Sequence, residues 1–175
     1  MAKTTKPQDA IALLKADHRE VEALFEKFEK ARADSAKQSI AEDICRALIV
    51  HAKIEEEIFY PACGGKIDDD MLKEAFVEHD SAKLLIRDIL AGGPEDEYYD
   101  AKVSVLAEQI EHHVGEEEAR LAGIFSQARR AGLDLEALGE ALRARKEAPM
   151  SDYKERLPMP ELAAVKLSPQ NERRQ

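Results

Sequence analysis

The 175-residue chain has five histidines, and four of them fall one per helix on the apolar stripes of four successive predicted helices. These are His18, His51, His79 and His113; the fifth, His112, merely neighbours the last. Two are followed one turn later by a glutamate, as His51-x-x-x-Glu55 and His113-x-x-x-Glu117. Burying one polar group without a partner costs roughly 2–7 kcal/mol, and an unpaired carboxylate costs far more. A helical chain that buries four imidazoles and two carboxylates must therefore bind something with them. A shared metal centre removes the whole cost at once.

The stripes themselves are regular. Ile11, Leu14, His18, Val21, Phe25 and Phe28 recur at three- and four-residue steps and predict a first helix over residues 9–33, with Asp9 as N-cap. Ile40, Ile44, Leu48, His51, Glu55 and Ile58 predict a second over 39–62, stopped by Pro61 and Gly64-Gly65. Leu72, His79, Ala82, Ile86 and Ile89 predict a third over 69–91, stopped by Gly92-Gly93-Pro94. Val103, Leu106, Ile110, His113, Val114, Glu117, Leu121 and Ile124 predict a fourth over 97–131, capped by Gly132. The expected organisation is a flexible N-terminus (1–8), a bundle (9–131), a short fifth helix (132–148) and a Pro-containing, loosely ordered tail (149–175). That tail either stays loose or packs on a partner subunit through Leu157, Leu162 and Val165 as a route to a homo-oligomer. Four amphipathic helices with short loops give an all-α, up-down-up-down four-helix bundle.

In such a bundle the four histidines must share one height. From His18 to the end of its helix is roughly 22 Å, and from the start of the next helix to His51 roughly 18 Å, at 1.5 Å per residue. The other two connections agree as well, at roughly 16 against 15 Å and 18 against 24 Å. Glu55 and Glu117 then project inward one turn from their histidines. Four imidazoles and two carboxylates are too many for one four-coordinate structural zinc and too few to saturate two octahedral ions. Two metals with open positions fit best, each carboxylate bridging and each imidazole terminal. Imidazole with carboxylate and no sulfur suits iron, manganese or zinc.

The remaining polar candidates read more plainly. Glu22, four after His18, is expected to be a surface residue or an acceptor for a ring N–H. His112 is expected to be exposed or to back a ligand, and Glu56, Glu57, Glu116 and Glu118 to form solvated faces. Tyr60 reads as a boundary tyrosine, the alternative being a phenol pointed towards the metals, and Phe25, Phe59, Phe76 and Phe125 as core around the site, which would also make an apolar pocket for a diatomic ligand. Cys45 and Cys63 lack metal-ligand spacing and read as free thiols of a reducing, cytoplasmic compartment. The net charge of −10 argues against nucleic acid and anionic membranes as partners. No secretory leader and no run of 18 apolar residues is visible.

Asp17-His18-Arg19-Glu20-Val21, His51-x-x-x-Glu55 with Phe59-Tyr60-Pro61, Glu78-His79 and His113-x-x-x-Glu117 together resemble the hemerythrin-like (HHE cation-binding) domain, over roughly residues 9–128. The resemblance implies a four-helix bundle around a non-haem di-iron centre, oxo- or hydroxo-bridged. His18, His51, His79 and His113 would be terminal ligands, and Glu55 and Glu117 bridges. The sequence departs from the oxygen-carrying members in two ways. Ala75 stands where they carry a second histidine one turn before His79, and the helix-4 carboxylate falls four residues after its histidine rather than five. An asymmetric, more open site of this kind implies binding or sensing of oxygen, nitric oxide, peroxide or iron. The alternative is an oxidoreductase with catalase-like peroxide or nitric-oxide chemistry.

Overall fold

The computed structural model describes residues 9–152 and 160–165; the expected flexible N-terminus, Leu157 and the last ten residues lie outside them. Helix α1 (Ala10–Lys30) starts where Asp9 caps it, its carboxylate accepting the Ala12 N–H at 2.8 Å. Helix α2 (Asp34–Ile54) starts five residues before the expected Ser39. Asp34-Ser35 reads as punctuation by residue type, but an acid also suits the positive first turn of a helix, and Asp34 occupies that turn.

The rod continues through a π-helical turn (Glu55–Phe59) into a last helical turn, α3 (Tyr60–Cys63). Helix α4 (Asp69–Ala91) is capped by Asp68, which accepts the N–H groups of Asp70 and Met71. Helix α5 (Tyr99–Glu118) ends directly after the second inward glutamate.

The single helix expected over 97–131 is thus two, with α6 (Ile124–Arg130) separated from α5 by residues 119–123. Gly123 explains the break. A Cβ there would lie 2.5 Å from the Glu117 carbonyl oxygen and 2.6 Å from the Ala119 nitrogen, so only glycine lets the chain fold back against the end of α5. Ser126 accompanies it, donating to the Ala119 and Arg120 carbonyls. Leu121, expected on the buried stripe, is 72% exposed as a result. Gly132 does close α6, with φ at 71°. Helix α7 (Leu135–Asp152) runs past Pro149, where a break was expected.

Helices α1, α2, α4 and α5 form the bundle, and α7 packs against α1, α2 and the π-helical turn. The core divides into two apolar clusters. One gathers Leu14, Ile54, Phe59, Leu72, Ile124 and Leu142. The other gathers Val21, Ile44, Leu48, Ile86, Val103 and Leu106. Outside the bundle proper, the backbone N–H groups of Ala163, Ala164 and Val165 all bind the buried Asp80 carboxylate, at 2.6–2.7 Å. The segment 160–165 is therefore strapped to α4 of its own chain.

Candidate metal centre

His18, His51, Glu55, His79, His113 and Glu117 are all buried, the two glutamates completely. Their donor atoms converge in two pairs. His18 Nε2 and His51 Nε2 are 3.0 Å apart, and His79 Nε2 and His113 Nε2 are 3.1 Å apart. Each carboxylate spans the pairs. Glu55 Oε2 lies 3.2 Å from His51 Nε2 and 3.4 Å from His79 Nε2, while Glu117 Oε2 lies 3.4 Å from His18 Nε2 and 3.7 Å from His113 Nε2. Two overlapping groups of potential ligands result, His18-His51-Glu55-Glu117 and Glu55-His79-His113, sharing Glu55. All six residues expected at the site are thus brought together, with four donors on one side and three on the other.

Tyr60 departs from expectation. It is 1% exposed, and its hydroxyl donates to Glu117 Oε1 at 2.9 Å while lying 3.4 Å from both Glu55 Oε2 and His79 Nε2. Five residues of regular α-helix would turn it about 140° away from Glu55, at 3.6 residues per turn. The π-helical turn instead binds the Tyr60 N–H to the Glu55 carbonyl, five residues back, and returns residue 60 to the face of residue 55. The same insertion buries Phe59 completely and leaves Ile58, expected on the stripe, only partly buried.

Behind each imidazole stands a carboxylate. Glu118 Oε1 is 2.8 Å from His18 Nδ1, Glu56 Oε1 is 3.0 Å from His79 Nδ1 and Glu78 Oε2 is 2.7 Å from His113 Nδ1. Asp17 Oδ2 takes the fourth place more loosely, 3.6 Å from His51 Nδ1. A carboxylate at Nδ1 holds the proton there and leaves the Nε2 lone pair facing inward, the tautomer a metal ligand needs. Glu56 and Glu118 are therefore not members of a solvated face; Glu57, paired with Arg145, and the half-exposed Glu116 are. Spacing offers no signal for Glu56, because the helix that carries it and the histidine it serves are different helices. Glu22 is 48% exposed and pairs with Arg19, a surface residue. His112 is 67% exposed.

The charges of the inner donors are tightly coupled. Burial opposes protonation of His51, but the Glu55 charge and the nearby Asp17 and Glu117 carboxylates outweigh it and hold the group up to about 10. Burial likewise opposes protonation of His79, yet Glu55 and Glu56 raise it to about 9. Burial would raise the Glu55 carboxyl, but His51 and His79 draw it well below the usual range. The carboxylates thus demand positive charge at this place. Glu55 Oε1 and Glu117 Oε2 nonetheless have no hydrogen-bond partner, and two Nε2 atoms at 3.0 Å need either a shared proton or a cation between them. Orphaned oxygens and facing lone pairs fit metal cations. Burial, then the Glu117 and Glu55 charges, pushes the Tyr60 phenol well above 10, so it keeps its proton. Cys45 and Cys63 are free, buried thiols, each pushed up to about 12 chiefly by burial.

A cavity of about 30 Å³ adjoins the four histidines, walled by Val21, Leu48, Ala82, Ile86, Ile110 and Val114. That is room for one or two water-sized molecules. Phe125 stacks on the His18 ring, with centroids 5.8 Å apart. Among the described residues no helix is long and apolar enough to cross a membrane.

The sequence pattern of the hemerythrin HHE cation-binding domain matches residues 9–125. A crystal structure of a hemerythrin HHE cation-binding domain-containing protein from Mycobacterium kansasii superposes with a TM-score of 0.70. That match covers 83% of this chain and 89% of the other, at 22% identity. A protein of Nostoc sp. named DNA nickase is 28% identical over 109 residues, which are 62% of this chain and 31% of that protein. The chain therefore spans about a third of the length of that relative.

Proposed function

The chain belongs to the hemerythrin HHE cation-binding family, and we propose that it holds two iron ions between four histidines and two bridging glutamates, binding or sensing a small ligand there. His18, His51, His79 and His113 would be terminal ligands, and Glu55 and Glu117 would bridge. The observation that carries this is the arrangement of paired Nε2 atoms spanned by two buried carboxylates, each with one oxygen that has no hydrogen-bond partner. Imidazole and carboxylate donors also accept manganese or zinc, and family membership favours iron among them. Bound iron would supply redox chemistry for oxygen, nitric oxide or peroxide.

The rest of the chemistry falls to the protein. The Nδ1 carboxylates Glu118, Glu56, Glu78 and Asp17 orient the imidazoles and keep their inner nitrogens free. The small cavity beside the histidines has room for a diatomic molecule or peroxide. Tyr60 holds a proton 2.9 Å from Glu117, inside the centre. That proton favours the second reading, a di-iron oxidoreductase with catalase-like chemistry, since a buried hydroxyl beside the reacting atoms can act as a general acid.

The test is iron content together with ligand binding. Protein loaded anaerobically with ferrous iron should hold two ions per chain and bind nitric oxide with a new visible absorption. Peroxide turnover by the same protein would select the second reading.

A further inference from the structure

The four outer carboxylates are not equivalent. Glu118 pairs with Lys15 and Arg19, Asp17 with Lys146, and Glu56 with Lys83. Among the described residues Glu78 has no lysine or arginine. Its Oε1 faces His112 Nε2 at 3.6 Å, and the same nitrogen is 3.4 Å from Glu116 Oε1. His112 and Glu116 are one turn apart on α5, and Glu78 reaches them from α4. The three donor atoms lie within 4.8 Å of one another.

These gaps are too long for strong hydrogen bonds. They suit donors around a common ion instead, since two ligands at about 2.1 Å and a tetrahedral angle sit about 3.4 Å apart. Where its three counterparts have a fixed ammonium or guanidinium, Glu78 has an imidazole and a second carboxylate. That cluster brings two carboxylates and one imidazole together with no lysine or arginine beside them among the described residues. His112 is 67% and Glu116 39% exposed, so an ion can arrive from solvent and keep water in its other positions. The second oxygen of Glu78 is already bonded to His113 Nδ1 at 2.7 Å, linking the surface cluster to the buried centre.

We propose that His112, Glu116 and Glu78 form a peripheral site for a divalent first-row metal ion, and that an ion captured there is staged for entry to the buried centre. The staging half rests on the function proposed above; the binding half does not.

Zinc titration of the metal-free protein, read by equilibrium dialysis, tests the binding. Wild type should take three ions per chain, the weakest at the surface. His112→Ala should take two with unchanged affinity, and Glu116→Gln should weaken only the third. Anaerobic ferrous loading followed by stopped-flow absorbance tests the staging. His112→Ala should fill the buried centre more slowly than wild type and reach the same final content. Two ions in wild type, or a third that survives His112→Ala, overturns the site. An unchanged loading rate overturns the staging. If wild type binds a single ion that His112→Ala abolishes, the surface site stands and the buried di-metal reading fails.

Discussion

The half of the centre built on His18 and His51 shares its donor types with the half built on His79 and His113, yet the two are supported differently. In the first, both bridging carboxylates complete a group of four potential ligands, and α1 and α2 supply the imidazoles. In the second, the ligand group has three members and the Tyr60 hydroxyl stands beside it, 3.4 Å from His79 Nε2. The first half also contains the loosest support, His51 Nδ1 against Asp17 Oδ2 at 3.6 Å, with both atoms lacking a hydrogen bond. The second half has tight supports at 3.0 and 2.7 Å. On the function proposed above, the tightly held imidazoles and the Tyr60 hydroxyl make the His79–His113 half the one at which an added small ligand would meet a proton donor.

The largest expected effect comes from removing what the halves share. Glu55→Ala should lose at least one metal ion per chain by elemental analysis, because Glu55 belongs to both ligand groups. Retention of both ions would refute its bridging role. Tyr60→Phe should leave metal content unchanged while any peroxide turnover falls roughly 10²-fold, the usual weight of a positioned general acid. Equal turnover would remove Tyr60 from the chemistry and erase the functional difference between the halves.

The supports come next. Glu118→Gln should weaken metal binding about 10–100-fold, as loss of such partners commonly does, and the more loosely placed Asp17→Asn should weaken it less. The reverse order, measured by competition with a chelator, would mean that Asp17 closes on His51 once metal is bound.

The metal-free protein offers a pH test. His51 and His79 are raised to about 10 and about 9 from an ordinary 6.5, so the stability they contribute is complete below 6.5 and lost as pH rises through 9 to 10. Glu55 is depressed, so its contribution is present above its ordinary 4.5 and lost as pH falls below that. The apoprotein should therefore have its highest Tm between those limits, by calorimetry. Metal binding at neutral pH should release protons from His51 and His79, since ligands bind deprotonated. No release in a weakly buffered titration would contradict the charge states described.

The smallest effect on the centre is expected from Asp80→Ala. It removes the acceptor of three strap amides and one partner of Lys83, which still holds Glu56 at 2.6 Å. Hydrogen exchange at residues 163–165 should rise while metal content stays the same.

The inner six residues and the bundle were legible because burial on a helix imposes a three-to-four-residue period, and His18, His51, His79 and His113 obey it. The outer carboxylates were not, because Glu56, Glu78 and Glu118 serve histidines on other helices, and no local spacing records a contact between helices. Tyr60 was hidden by the π-helical turn. That one insertion changes the face of every later residue in the rod, and nothing in Glu55-Glu56-Glu57-Ile58-Phe59 announces it. The break after Glu118 had a sign in Gly123, but a single glycine in an apolar-periodic run reads as tolerated unless the returning chain is known to touch Glu117 and Ala119.

The most direct test is elemental analysis of the iron-loaded protein with its absorption spectrum. The account predicts two irons per chain and near-ultraviolet oxo-to-iron bands. A protein that takes up no iron from an anaerobic ferrous solution would contradict it, leaving four buried histidines held only by their carboxylates.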